Sequence, residues 1–469
     1  MQQFNPVDAA LLFLESNHTP FHISTVTTYD PSTCPKGAPT FEDIKEAVRI
    51  SLPVVETFRR RMVRVPLDLD YPYWIEDEDF DLDYHMRHLA LPKPGNWMQF
   101  REQVSRLISR PLDLTRAPWE MTVIDGLDSI EGLPPGCFAT VLKVHHCAID
   151  GQTGVALINT IHQDSPKKKI RKVKDTWQPE EVPSNRALLR LAAVNGVRRP
   201  LKIARNVLAN SRSLVSAAFN DIRSDDEEDY KAPDTLFNLP LSAHRTFDFI
   251  LCPLDQVKSV RHLVEGATVN DVCLAMVAQG MRRYLAAKRA LPEDSLITVV
   301  PVSTRTPDQA AGGGNQISIT LVPLFTNIDD PIERLAAITA ETRKKKAMQE
   351  GVVMNVMLDL VRDLPGALVG AVTRALPLIV TRAPTFCNTM VTNVPGPTAP
   401  IYFLGAKAVS MFGSPPLMDG GTLLHCVGSY NGDFIFSFTA CRDALKDPDF
   451  YRECLEAGVG DVLEAAGKR

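Results

Sequence analysis

Apolar residues recur with helical spacing over residues 41–52 and again over 99–109, where Val104, Leu107 and Ile108 share a face. Residues 138–144 lack that period. They are almost continuously apolar and rich in β-branched side chains, which predicts a buried strand. Past Gly151 the helical period returns, with Val155, Ala156, Ile158 and Ile161 on one face and Asp150 placed to cap the first turn. In the second half the pattern predicts strands over 245–251 and 296–302, and between them a long helix over 269–287 introduced by Thr268. A turn at Gly312-Gly313-Gly314-Asn315 leads into an alternating strand through Ile317, Ile319 and Leu321. Asn431-Gly432, between apolar runs at 423–430 and 434–439, predicts a hairpin.

Strands alternating with helices make this a mixed α/β chain, and 469 residues at 45% hydrophobic content suit two domains better than one core. Charge marks the break between them. Lys167 to Arg212 contains 13 Lys or Arg against 3 Asp or Glu, and an acidic run follows at 225–229. We therefore expect an N-terminal domain over 1–163, a linker over 164–235 and a C-terminal domain over 236–469. Within the linker, Leu188, Leu191, Ala192, Val197, Leu201, Ala204 and Leu208 alternate with arginines and lysines, interrupted at Pro200. Such a cationic amphipathic segment suits either an anionic membrane face or the surface of its own protein.

Over the whole chain Lys plus Arg (51) nearly balance Asp plus Glu (56), so a net charge of -5 gives no reason to expect a nucleic-acid partner. Nine cysteines without a Cys-x-x-Cys pair favour a reducing, cytoplasmic setting over a disulfide framework or a zinc ribbon. The N-terminus lacks a basic signal region, and no apolar run approaches the roughly 18 residues of a membrane span. Any contact with lipid is expected from the water side.

The chemistry-bearing segment is His145-His146-Cys147-Ala148-Ile149-Asp150-Gly151, at the predicted strand-to-helix junction. Successive strand residues point to opposite faces, so one histidine is expected to be structural and the other functional. A neutral imidazole can take the proton of an alcohol as its oxygen attacks a thioester, then return it to the leaving thiolate. Asp150 can hold the turn through an arginine, for which Arg305 is a candidate, and Gly151 permits close backbone approach.

His-His-x-x-x-Asp-Gly after a buried strand resembles the signature of the CoA-dependent acyltransferase superfamily, which includes chloramphenicol acetyltransferase and peptide-synthetase condensation domains. Further segments narrow the resemblance to the bacterial wax ester synthase/acyl-CoA:diacylglycerol acyltransferase family. They are Asn5-Pro6-Val7-Asp8-Ala9, Glu15, Pro20-Phe21-His22, Pro111-Leu112-Asp113, Trp119-Glu120, Asn270-Asp271, Pro301-Val302-Ser303, Gly314-Asn315 and Asn393-Val394-Pro395-Gly396-Pro397. Ala117-Pro118-Trp119 departs from the family's Pro-Leu-Trp, which touches local packing or chain-length preference more than the reaction.

The resemblance implies two chloramphenicol-acetyltransferase-like α/β domains with mixed sheets, joined by a helical linker and meeting at a tunnel to His146. It makes His146 the base, with His145, Asp150 and Gly151 supporting it and Asn270 and Asp271 at a helix start. Ser303, Arg305 and Asn315 are substrate-binding candidates, and Met411 and Phe412 are candidates for the acceptor side. The implied reaction passes a fatty acyl group from acyl-CoA to a long-chain alcohol or to diacylglycerol, without a covalent acyl-enzyme. Acyl-CoA is a substrate, and no cofactor is expected. The implied location is the cytoplasm, peripherally on the inner membrane face or on lipid inclusions.

Alternatives within reach of the same residues are a related acyltransferase using another alcohol or a carrier-bound thioester, and a non-catalytic protein of lipid inclusions. Cys147 beside His146 suggests a thiol nucleophile, but adjacent strand residues diverge. No Gly-x-Ser-x-Gly elbow, Walker loop, dinucleotide glycine fingerprint or His-Glu-x-x-His is present. No metal site is expected: His85 and His88 stand at helical spacing without a third ligand and are read as surface residues.

Overall fold

The computed structural model describes residues 1–149, 158, 160–209, 231–303, 317–349, 364, 366–371 and 385–468. The first half runs β1 (Gln2–Gln3), α1 (Pro6–Phe13), β2 (His22–Asp30), α2 (Phe41–Ser51), β3 (Arg60–Val63), β4 (Tyr73–Glu76), β5 (Met86–Ala90), α3 (Trp97–Ser109), β6 (Trp119–Asp125) and β7 (Phe138–His145). After α4 (Asn185–Ala209) come β8 (Arg245–Pro253), α5 (Val269–Ala287), β9 (Ile297–Ser303), β10 (Ile317–Pro323) and α6 (Pro331–Gln349). The chain continues through β11 (Thr389–Pro395), β12 (Tyr402–Phe403), β13 (Ala406–Ser414), β14 (Leu423–Tyr430), β15 (Asp433–Cys441) and α7 (Pro448–Gly467).

Two six-stranded sheets organise these elements. One has the order β12-β13-β2-β7-β6-β5, antiparallel except where β5 meets β6. The other has the order β10-β9-β11-β14-β15-β8, with β11 parallel to both its neighbours. A small sheet, β1-β4-β3, lies apart. The mixed α/β architecture with two sheet-rich domains is therefore the observed one.

The sheets do not follow the expected cut at 163 and 236. Strands β12 and β13, from the C-terminal half, complete the first sheet by pairing β13 against β2. Phe412 of β13 and Phe247 of β8 belong to the first hydrophobic core with Val26, Phe100 and Trp119. The segment 236–469 is thus not a self-contained layer: its own buried sheet gives up one strand pair to its neighbour. The second core gathers α5, α6 and α7 on the other sheet, through residues such as Met276, Leu335 and Leu455.

Local sequence explains the elements that frame the site. Helix α3 opens with a capping box from Asn96 and Gln99 and buries Phe100, Val104, Leu107 and Ile108. Helix α5 opens with another, Thr268 with Asp271. At the hairpin, Asn431 and Gly432 take φ of 48° and 96°, the left-handed pair that a two-residue turn between β14 and β15 requires. The linker helix α4 continues through Pro200 rather than breaking there, although a proline removes a backbone donor and crowds the carbonyl four residues earlier. Its first half packs on the small sheet, with Leu188 and Ala192 buried beside Tyr73 and Arg199 ion-paired to Asp70.

Candidate active site

Strand β7 delivers the paired histidines and ends there. In the β2–β7 ladder His22 stands opposite His145. The His145 amide donates to the Pro118 carbonyl at 2.9 Å, and the His146 amide donates to the Phe21 carbonyl at 2.8 Å. The chain then leaves the strand in a single 3₁₀ turn, His146–Ala148. The two imidazoles are therefore separated by a turn, not by the pleat alternation that the sequence suggests.

His145 is wholly buried and both its ring nitrogens are engaged. Nδ1 accepts from the Cys147 amide at 3.1 Å and lies 2.8 Å from the Cys147 thiol, while Nε2 lies 2.5 Å from Glu15 Oε2. Because Nδ1 accepts from a backbone N–H, the ring proton resides on Nε2 and is donated to the Glu15 carboxylate. A histidine so committed orients the turn and has no free nitrogen for a substrate. His146 is half-buried. Burial, and then the charge of neighbouring His145, pull its pKa down to about 4, so its imidazole is neutral near pH 7.

Helix α1 packs against this turn from the N-terminus. Asn5 caps it by accepting from the Asp8 amide at 2.8 Å, and Asp8 is buried. The Cys147 thiol is pushed well above its usual pKa, by burial first and then by the charges of Asp8 and Glu15. A thiolate there is disfavoured, and the sulfur lies against His145 Nδ1, a nitrogen already accepting from the Cys147 amide.

A cavity of about 700 Å³ opens between residues 14–21 and the second sheet. Leu14, Phe21, Phe386, Met390, Leu423 and Leu424 supply much of its apolar wall. Phe21 links the two features, lining the cavity and holding the His146 amide.

The other candidates fall in several places. Asp150, Gly151, Arg305 and Asn315 lie outside the described residues, as do the turn at 312–315 and most of the helix expected after Gly151. Ser303 closes β9. Asn270 is half-buried in the first turn of α5. Asp271 is buried and fully employed: Oδ2 accepts from the Thr268 amide and hydroxyl at 2.8 and 2.7 Å, and Oδ1 accepts from Thr342 at 2.7 Å. It caps α5 and ties it to α6. Among the described residues no hydrogen bond joins Asn270 or Asp271 to His146. Met411 and Phe412 pair with Thr27 and Val26 across β13 and β2, and the Phe412 ring stacks on Phe249 at 4.0 Å, at the junction of the two sheets. Neither lines the 700 Å³ cavity.

His85 is not the surface residue expected of it. It is buried, its Nδ1–H donates to the Trp119 carbonyl at 2.8 Å, and its ring stacks between Phe80 and Trp119. His88 is exposed, on β5, with Nε2 at 2.6 Å from Asp125. Glu15 and His22 are the site residues whose roles went unassigned. Both stand in segments that carry the family resemblance, but their partners, 130 and 86 residues away, are set by tertiary structure. Glu15→Ala is expected to lower kcat by up to about 100-fold through misplacement of the turn, with KM little changed. Glu15→Gln, whose amide oxygen still accepts from Nε2–H, recovers most of that loss in steady-state kinetics. Equal losses in both variants would show that the carboxylate charge matters beyond orientation.

Two sheets sharing a crossover strand pair, with a paired-histidine turn at the end of a central strand, make a fold shared with solved condensation domains. The first condensation domain of the calcium-dependent antibiotic synthetase has this fold: its TM-score is 0.57 at 13% identity, covering 99% of this chain and 96% of that one. The family model for the wax ester synthase/diacylglycerol acyltransferase catalytic domain matches residues 4–273, and that for the WS/DGAT C-terminal domain matches residues 313–461. The chain belongs to the wax ester synthase/diacylglycerol acyltransferase family and is an O-acyltransferase. A Mycobacterium tuberculosis relative named a probable diacylglycerol O-acyltransferase is 30% identical over 484 residues, covering 100% of both chains. The wax ester synthase/diacylglycerol acyltransferase from Marinobacter aquaeolei VT8 matches with a TM-score of 0.70 at 25% identity, over 100% of each chain.

Proposed function

We propose that this acyltransferase moves a fatty acyl group from acyl-CoA to a long-chain alcohol or diacylglycerol, with His146 as general base. The observation that carries the reading is the pairing of a neutral, half-buried imidazole with an apolar cavity of about 700 Å³ through one residue, Phe21. That volume falls within the roughly 300–1,000 Å³ of small-molecule sites. In the reaction His146 accepts the hydroxyl proton as the alcohol oxygen attacks the thioester carbonyl. The tetrahedral intermediate then expels the CoA thiolate, which takes the proton back from the imidazolium, so that ester and thiol leave and the histidine is neutral again. Both products form without an acyl group on the protein.

A lipid acceptor implies access from a membrane or inclusion surface. The outward face of α4 favours this: Leu189, Val194 and Val197 are exposed between the exposed Arg186, Arg190 and Arg198. No helix among the described residues is long and apolar enough to cross a membrane. The direct test supplies purified protein with palmitoyl-CoA and either hexadecanol or dipalmitoylglycerol, and follows thiol release with product analysis. Release with at least one acceptor, retained in Cys147→Ala, is the expected result. An inert wild type would sink the reading, and an inert Cys147→Ala would return a thiol mechanism.

A further inference from the structure

A second opening, of about 600 Å³, lies where α3 meets β8 and the start of α7. Its lining is cationic in a chain whose net charge is -5. Arg101, Arg106, Arg110, Arg245, Arg442 and Lys446 face it, against Glu102 and Asp449. Some of these charges are already spent on structure. Arg101 bridges Asp248 and Asp449, Arg106 pairs with Glu102, and Arg245 donates to the Ser242 and His18 carbonyls. Arg110, Arg442 and Lys446 differ: all three are exposed and have no carboxylate partner among the described residues.

The surrounding backbone suits an anion. The groove includes Pro448 and Asp449 at the N-terminus of the 20-residue helix α7, the positive end of its dipole, where Arg101 neutralises Asp449. The opposing, negative end of α3 is covered from within: Lys143 Nζ donates to the Leu107 and Arg110 carbonyls at 3.2 and 2.8 Å, and His22 Nε2 lies 3.1 Å from the Ile108 carbonyl.

The groove also leads toward the candidate site. A narrow cleft of about 10 Å³, lined by His22, Ile108, Arg245 and Pro416 among others, shares Arg245 with the groove and Pro416 with the 700 Å³ cavity. His22 in turn stands one strand from His145. At about one water's volume the cleft is a neck that a threaded chain must widen.

We propose that the groove built on Arg110, Arg442 and Lys446 binds the phosphate-bearing nucleotide head of acyl-CoA, with the pantetheine arm directed through the neck toward His146. The inference rests on the acyl-CoA reading above. A phosphomonoester carries about 1.5–2 negative charges near pH 7 and the diphosphate adds more, so several separated cations match this head better than they match a lone carboxylate.

The test uses the full chain with Arg110→Gln, Arg442→Gln and Lys446→Gln combined; all three side chains are exposed, and a thermal melt checks the fold. Relative to wild type, kcat/KM for palmitoyl-CoA is expected to fall about 10-fold or more, chiefly through KM. For palmitoyl-pantetheine, which lacks the nucleotide, it stays within about twofold. Calorimetric affinity for CoA falls in parallel, and the wild-type affinity weakens with added salt. Unchanged KM for palmitoyl-CoA with active enzyme would overturn the groove and leave the acyltransfer reading standing. Wild type that binds CoA through these residues but turns over no acceptor would do the reverse. If the variant keeps its CoA affinity but no longer floats with phosphatidylglycerol vesicles, the groove is a lipid-headgroup site and the proposal fails.

Discussion

His146→Ala is expected to lower kcat by about 100- to 10,000-fold, the range set by the loss of a positioned general base, while leaving the melting temperature nearly unchanged. The two halves of that expectation have separate origins. Stability is spared because the anchoring bond from the His146 amide to the Phe21 carbonyl belongs to the backbone and survives the substitution. Activity is lost because the remaining member of the pair cannot substitute: His145 is wholly buried with Nδ1 on the Cys147 amide and Nε2 on Glu15. The pH profile gives an independent check. The base works deprotonated, and burial lowers its pKa from 6.5 to about 4. On lowering the pH, kcat/KM should therefore hold through 6.5 and fall only toward 4. An acid limb centred near 6.5 would place the proton transfer on an exposed histidine instead. Turnover surviving in His146→Ala would move the base elsewhere altogether.

Much of this arrangement was legible in the sequence because it depends on local period. The run of apolar residues ending at His145, the Thr268 cap of α5 and the Asn431-Gly432 hairpin all specify their own geometry, and the structure has them within a residue or two. What the period cannot carry is the choice of partner. Strand β13 alternates buried and half-buried positions from Ala406 to Ser414, which says strand, yet nothing in that alternation says that it joins β2 of the other sheet. The same limit hides Glu15: a carboxylate after a short helix reads as surface until folding places it on His145. His85 misses in the same direction, since a polar residue in a charged stretch becomes buried only because Trp119 and Phe80 close over its ring. The family resemblance places Asp271 in the site with Asn270, whereas its contacts among the described residues serve the cap and Thr342.

Gly458→Ala is expected to cost about 3 kcal/mol or more, a large effect for one methyl group. Helices α5 and α7 cross at Gly280 and Gly458 so closely that a Cβ on residue 458 would lie 2.5 Å from the Gly280 nitrogen and 2.8 Å from its Cα. The atoms met are backbone, so no rotamer change relieves the contact and the helices must part. Parting them loosens the fully buried face of α5, which includes Met276, Val277 and Met281. Gly460→Ala supplies the control two residues along the same helix. There the added carbon meets nothing within 4 Å, and the better helix propensity of alanine should raise stability by up to about 1 kcal/mol. Thermal melts of the pair should therefore move in opposite directions, and a Gly458→Ala melt matching wild type would mean that the two helices are not in this contact. The comparison also reaches the active site. Because Asn270 sits in the first turn of α5, ten residues before the crossing, displacement of that helix tests its role without touching the side chain. If Asn270 helps orient substrate, folded Gly458→Ala at low temperature loses kcat as well as stability. If Asn270 only begins the helix, the folded fraction keeps its turnover.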